Sequence, residues 1–129
     1  PHTVWFQGHW GFQYYMEEIG AEALDFRESV VKQGDIVIVP QNNTNIEPEA
    51  MRRKIFHPVH TEYVQPFPWV GTMQKAVGAG FYSDAWGPLP FVFGAVPPEK
   101  YQIYLVGNYE PSDIEHFRKI LETETEAAP

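Results

Sequence analysis

The apolar positions along the chain change period several times, and each period marks an element. Residues 3–7 (Thr3, Val4, Trp5, Phe6, Gln7) are β-branched or aromatic and stop at Gly8, which predicts a buried strand. Between Gly11 and Gly20 the apolar residues Phe12, Tyr15, Met16 and Ile19 fall at i, i+3, i+4 and i+7. That is one face of a helix, with Glu17 and Glu18 outside the stripe. Gly20 is a natural C-terminal stop, since glycine takes the left-handed conformation without strain. Residues 21–26 read as a short second strand. Gly34-Asp35 signals a turn, and Ile36-Val37-Ile38-Val39 follows as an unbroken β-branched run closed by Pro40. A run without polar alternation suits a strand covered on both faces, as in parallel sheets. Strand, helix and strand over residues 3–39 make a βαβ unit, whose crossover should be right-handed.

Beyond Pro40 the pattern is more broken. Residues 41–48 are a polar, Asn-rich loop, and residues 54–64 contain another strand that ends in Gln65-Pro66-Phe67-Pro68. A short helix is predicted over residues 69–76. Gly78-Ala79-Gly80-Phe81-Tyr82 is small, then aromatic, and residues 84–98 are rich in Gly, Pro and aromatic rings. Residues 101–106 are the last clear strand. After Glu110-Pro111, Ser112 and Glu115 have the spacing of a capping box for a terminal helix with Ile114, Phe117 and Leu121 on its apolar face. The reading is a single α/β domain over residues 1–121, followed by an acidic tail over residues 122–129 that is expected to fray. Its sheet is small, mostly parallel or mixed, with four to six strands, a βαβ start, flanking helices and a C-terminal helix. The expected core draws on the first strands and the helix stripe, including Val4, Tyr15 and Ile19, and on Ile103, Leu105 and Phe117.

Charge and composition narrow the classes. A length of 129 residues with 43% hydrophobic and 20% charged residues fits one globular domain. The net charge of −8 argues against nucleic acid, which needs clustered cations, and against docking on an anionic membrane by charge. The cluster Arg52-Arg53-Lys54 reads as a solvated stretch rather than a phosphate site. The absence of cysteine excludes disulfides, thiolate zinc sites and cysteine nucleophiles. No apolar run approaches the roughly 18 residues of a membrane span. The chain opens Pro1-His2-Thr3 and runs straight into an apolar strand, which reads as a segment of a longer protein.

Two stretches carry candidate chemistry. His9-Trp10 and Gln41-Asn42-Asn43-Thr44-Asn45 each follow a strand of the predicted βαβ unit. If those strands are parallel neighbours, both stretches sit at the carboxyl edge of the sheet, where open α/β sheets bind ligands. Gly8 and Gly11 would let backbone approach a ligand, and the helix start would offer N–H groups. Asparagine side chains both donate and accept, which suits hydroxyl-rich ligands. An Asx-type turn with His9-Trp10 filling the crevice accounts for the same residues. Gly8-His9-Trp10-Gly11 lacks the dinucleotide spacing. The second stretch is Phe81, Tyr82, Trp86, Phe91 and Phe93 with Asp84: rings that can stack on sugar faces beside a carboxylate that accepts from hydroxyls. The alternative is an irregular lid stiffened by Pro88 and Pro90. The candidate ligand-binding set is therefore His9, Trp10, Tyr14, Asn42, Asn43, Asn45, Asp84 and Trp86. His57, His60 and Glu62 match no zinc-protease or cupin spacing. In an extended strand His57 and His60 point to opposite faces, so no metal is expected. No catalytic set emerges either. Pairs such as Asp84 and Glu62 are unspecific among 17 acidic residues, and Ser29, Ser83 and Ser112 lie in no GxSxG elbow. No cofactor is implied.

The block Val4-Trp5-Phe6-Gln7-Gly8-His9-Trp10-Gly11-Phe12-Gln13-Tyr14-Tyr15-Met16-Glu17 resembles one in bacterial proteins similar to the dolichyl-phosphate-mannose protein mannosyltransferases, the family 39 type. The likeness continues through Gly34-Asp35-Ile36-Val37-Ile38-Val39-Pro40, Asn42 to Asn45, Gly80-Phe81-Tyr82, Gly87-Pro88-Leu89-Pro90-Phe91 and Pro98-Glu99-Lys100-Tyr101, spanning about residues 3–106. It implies a polytopic membrane parent that moves a sugar from a polyprenyl-phosphate donor, with its catalytic acidic residue in a loop outside this chain. No catalytic residue carries over. The domain would face the periplasm or cell exterior as an accessory to the membrane-embedded part of the same parent, with a glycan or protein acceptor as further partner. The rival readings are a protein-interaction module and an independent small carbohydrate-active enzyme.

Overall fold

A computed structural model describes residues 2–8, 10–41, 53–65, 69–71, 73–74, 79–80, 92–94 and 98–127. Five strands make the main sheet: β1 (Val4–Phe6), β2 (Glu22–Ala23), β3 (Ile36–Pro40), β4 (Phe56–Val64) and β9 (Glu99–Val106). Their order is β2-β1-β3-β9-β4. β1 is parallel to both β2 and β3, whereas β9 is antiparallel to β3 and β4, so the sheet is mixed. Helix α1 (Trp10–Glu18) carries the chain from β1 to β2, and α2 (Pro111–Ala127) closes it. The fold is α/β with a strand–helix–strand start and a C-terminal helix.

Alternation along the strands splits the core between two faces. On one face Phe6 and Ile38 pack with Met16, Ala21 and Phe12 from the α1 region, and Ile36, Ile103 and Leu105 pack with Ile114, Phe117 and Leu121 of α2. On the other, Trp5, Val37, Val106 and Phe56 pack with Leu24, Phe26 and Val31, so a loop rather than a helix covers it. The unbroken run Ile36-Val37-Ile38-Val39 is explained by this double cover. Removing a side chain such as Phe6 or Val37 from water contributes roughly 1.5–3 kcal/mol. Val4, expected in the core, is 36% exposed. It shares a face with Phe6, but α1 starts at the far end of β1 and covers Phe6 instead.

The helix stripe is also corrected. Met16 is buried and Phe12 half-buried, but Tyr15 and Ile19 are 67% and 74% exposed. The helix ends at Glu18, so Ile19 is its cap and not part of a core-facing turn. Gly20, at φ 86°, donates to the Glu17 carbonyl (3.0 Å), and Ala21 donates to the Met16 carbonyl (3.0 Å). This pair of bonds is a Schellman ending, and the accompanying Met16–Ala21 contact takes the burial that the periodicity had assigned to Ile19.

At α2 the expected capping box at Ser112 and Glu115 gives way to a single side-chain cap two residues earlier. Pro111 opens the helix, where its missing N–H costs nothing, and the Asp113 carboxylate accepts from the Glu110 N–H (3.3 Å). Ile114 is buried and Phe117 and Leu121 are half-buried, as the spacing indicated. The stretch expected as tail continues α2 to Ala127 with exposed side chains. The helix expected over residues 69–76 is replaced by strands. β5 (Val70–Gly71) pairs with β8 (Val92–Phe93), and β6 (Met73–Gln74) pairs with β7 (Ala79–Gly80), both antiparallel. Gly71 weakens a helix there, and cross-strand partners are at hand.

Candidate functional site

β1 and β3 end side by side. Phe6 pairs with Ile38, and the Gln7 N–H donates to the Ile38 carbonyl (3.1 Å). From β1 the chain passes through α1 to β2 on one flank; from β3 it goes on to β4, on the far side of β9. The next strands in the chain thus lie on opposite sides of the adjacent β1 and β3. That arrangement is a topological switch point, where open α/β sheets take ligands.

The floor of this edge is aromatic. Phe12 sets its ring edge-on to Phe6 (centroids 5.9 Å, 80°) and lies tilted against Tyr101 (5.7 Å, 31°). Pro40 is buried and pairs with Tyr101, and the Gln41 N–H donates to the Lys100 carbonyl (2.7 Å). Burial, with Glu99 nearby, pushes the Tyr101 phenol above its ordinary pKa, so its hydroxyl stays a neutral donor and acceptor at neutral pH. Gly8 is buried at φ 149°, a backbone conformation that favours glycine where β1 turns into α1.

Of the expected site residues, Trp10 opens α1 at this edge. Tyr14 stands on the solvent side of the same helix, 64% exposed and edge-on to Tyr15 (5.5 Å, 76°). His9, Asn42, Asn43, Asn45, Asp84 and Trp86 lie outside the described residues. In the sequence Phe12 belongs to a helix stripe and Tyr101 to a strand, and only the β3–β9 register brings them to the edge.

Two further clusters were not visible as such in the sequence. Asp35 is 1% exposed and accepts from the Thr3 N–H (2.9 Å), the Trp5 indole N–H (2.8 Å) and the Lys32 N–H (2.9 Å). The sequence alone shows it only as half of a Gly-Asp turn. In β4 the register shifts between Pro58 and His60. Val59 is the extra residue of a bulge, and His57 faces Leu105 while His60 faces Ile103. Leu105 and Ile103 share a sheet face, so the two histidines do as well, correcting the opposite-face expectation. The His57 Nε2 lies 2.9 Å from the Gly107 carbonyl and the His60 Nε2 2.9 Å from Glu62 Oε2. Among the described residues no three His, Asp or Glu side chains gather to hold a metal ion. Beside the bulge an open groove of ≈ 490 Å³ is lined by residues 58–61, Gln102, Arg118 and Glu122.

Among the described residues no helix is long and apolar enough to cross a membrane. Comparison of the chain with protein-family models, curated proteins and solved structures finds no match.

Proposed function

We propose that this chain is the extracytoplasmic accessory domain of a polytopic membrane glycosyltransferase, and that it recognises a hydroxyl-rich ligand, a glycan or the acceptor, at the carboxyl edge of β1 and β3. The parent would transfer the sugar from a polyprenyl-phosphate donor; this domain supplies binding. The observation that carries the recognition site is the switch point: β1 and β3 end side by side, and the next strand of the chain lies on opposite sides of the pair. Phe12 and Tyr101 supply an aromatic floor there, the chemistry that stacks on sugar faces. The assignment to a membrane parent rests on the sequence resemblance over residues 3–106.

The test is an NMR titration of the chain with simple sugars, short glycans and a soluble polyprenyl-phosphate analogue. Saturable amide shifts centred on Trp10, Gln41 to Asn45 and Tyr101 are expected. A flat response across the panel overturns the recognition site. A protein-interaction role is then favoured, on the strength of exposed Tyr14 and Tyr15 on α1 and Ile19 at its cap.

A further inference from the structure

We infer that the outer edge of β4 is a strand-addition site for an extended polypeptide segment carrying Lys or Arg. Among the described residues β4 is the terminal strand of the sheet and, at nine residues, the longest strand. A terminal strand presents unpaired N–H and C=O groups to any extended chain that reaches it. The opposite terminal strand, β2, has only two residues and is too short to template one.

The two halves of β4 differ in how that edge is treated. In the first half Pro58 offers no N–H, the bulge at Val59 breaks the ladder, and Arg118 of α2 donates from Nε (3.2 Å) and Nη2 (2.7 Å) to the Pro58 carbonyl. The guanidinium occupies that acceptor in place of a neighbouring strand. These are the devices that close an edge. The second half, residues 61–64, carries no proline and no bulge. It exposes Tyr63 (62%) and Val64 (49%), an aromatic and a β-branched side chain of high strand propensity, on alternate faces. The open groove of ≈ 490 Å³ lies beside the bulge and reaches this half at Thr61, with Arg118 and Glu122 of α2 among its lining residues, so the end of an added strand next to Thr61 would meet the helix.

Charge selects the occupant. Arg118 is already held by the Pro58 carbonyl and by Glu115 (3.4 Å). The exposed carboxylates along the groove and strand are Glu62, whose Oε2 meets His60 Nε2 at 2.9 Å and whose other oxygen has room for a cation, and Glu122, on a chain of net charge −8. An incoming Lys or Arg at alternate positions would meet Glu62 along the strand and Glu122 across the groove. An acidic segment would be repelled by both.

The experiment titrates the ¹⁵N-labelled chain with three blocked peptides of about ten residues, long enough to outspan residues 61–64. One alternates Lys with Thr, one alternates Glu with Thr, and one is the Lys peptide fully N-methylated, which keeps charge but loses every backbone donor. The Lys peptide should give saturable shifts centred on residues 60–64 and 118–122, and both other peptides should fail to do so. A double variant, Glu62→Lys with Glu122→Lys, should weaken the Lys peptide by about tenfold while amide shifts elsewhere stay in place. An equal response to the N-methylated peptide would reduce the effect to charge alone and overturn strand addition. So would a saturable response to the Glu peptide, or shifts centred away from β4. Concentration-dependent broadening at residues 60–64 without peptide would instead assign the edge to a second copy of this chain.

Discussion

Asp35 gathers three donors that no strand partner serves: the backbone of Thr3 and Lys32 and the indole of Trp5. Burial by itself raises the carboxyl pKa. The three hydrogen bonds, with His2 nearby, outweigh it and hold the group below the ordinary carboxylate value. A depressed folded pKa means that the unfolded chain binds more protons as pH falls. The stabilisation from Asp35 is therefore complete above about pH 4, the ordinary Asp range, and is lost as pH drops through the folded pKa. Urea midpoints measured between neutral pH and about pH 3 should fall more steeply for the native chain than for Asp35→Asn. At neutral pH, Asp35→Ala should cost about 2–3 kcal/mol, since the buried Trp5 indole N–H and two part-buried backbone N–H groups lose their acceptor together. The residue was legible only as a turn. Its burial follows from Thr3 and Trp5 lying beside it across β1 and β3, a tertiary fact that a Gly-Asp dipeptide does not carry.

At the scale of elements, the ending of α1 separates two positions that the periodicity treated alike. Ile19→Ser should change stability by no more than about 0.5 kcal/mol, because the side chain is already in solvent. Ile114→Ala, which empties the contact of α2 with Val59 and Leu105, should cost about 2–5 kcal/mol. Gly20→Ala tests the cap itself. A Cβ there meets nothing within 4 Å, so any loss comes from the left-handed backbone, about 1–2 kcal/mol by thermal melt. β1, β3 and β9 were legible because β-branched and aromatic runs have no other good use. β2, two residues long, is defined by pairing with β1 more than by its own sequence. The shared face of His57 and His60 was hidden because a bulge shifts every later residue of the strand without leaving a mark in composition. The carboxyl-edge site was legible in outline, from two runs that each end in a polar stretch. That the runs are neighbours, and that their exits diverge, is a property of the sheet order.

For the molecule as a whole, the central position of β9 is the decisive feature. It is the last of the described strands, yet it lies between β3 and β4, with Ile36 paired to Leu105 and Phe56 to Val106. A chain truncated before Glu99 would leave both of those strands without their common partner, and far-UV circular dichroism should show it unfolded. During synthesis, at roughly 5–20 residues per second, β3 and β4 must therefore wait through several seconds of elongation with open edges. The domain closes only when its final third has emerged. In a cell, that interval is when a chaperone has the most to hold.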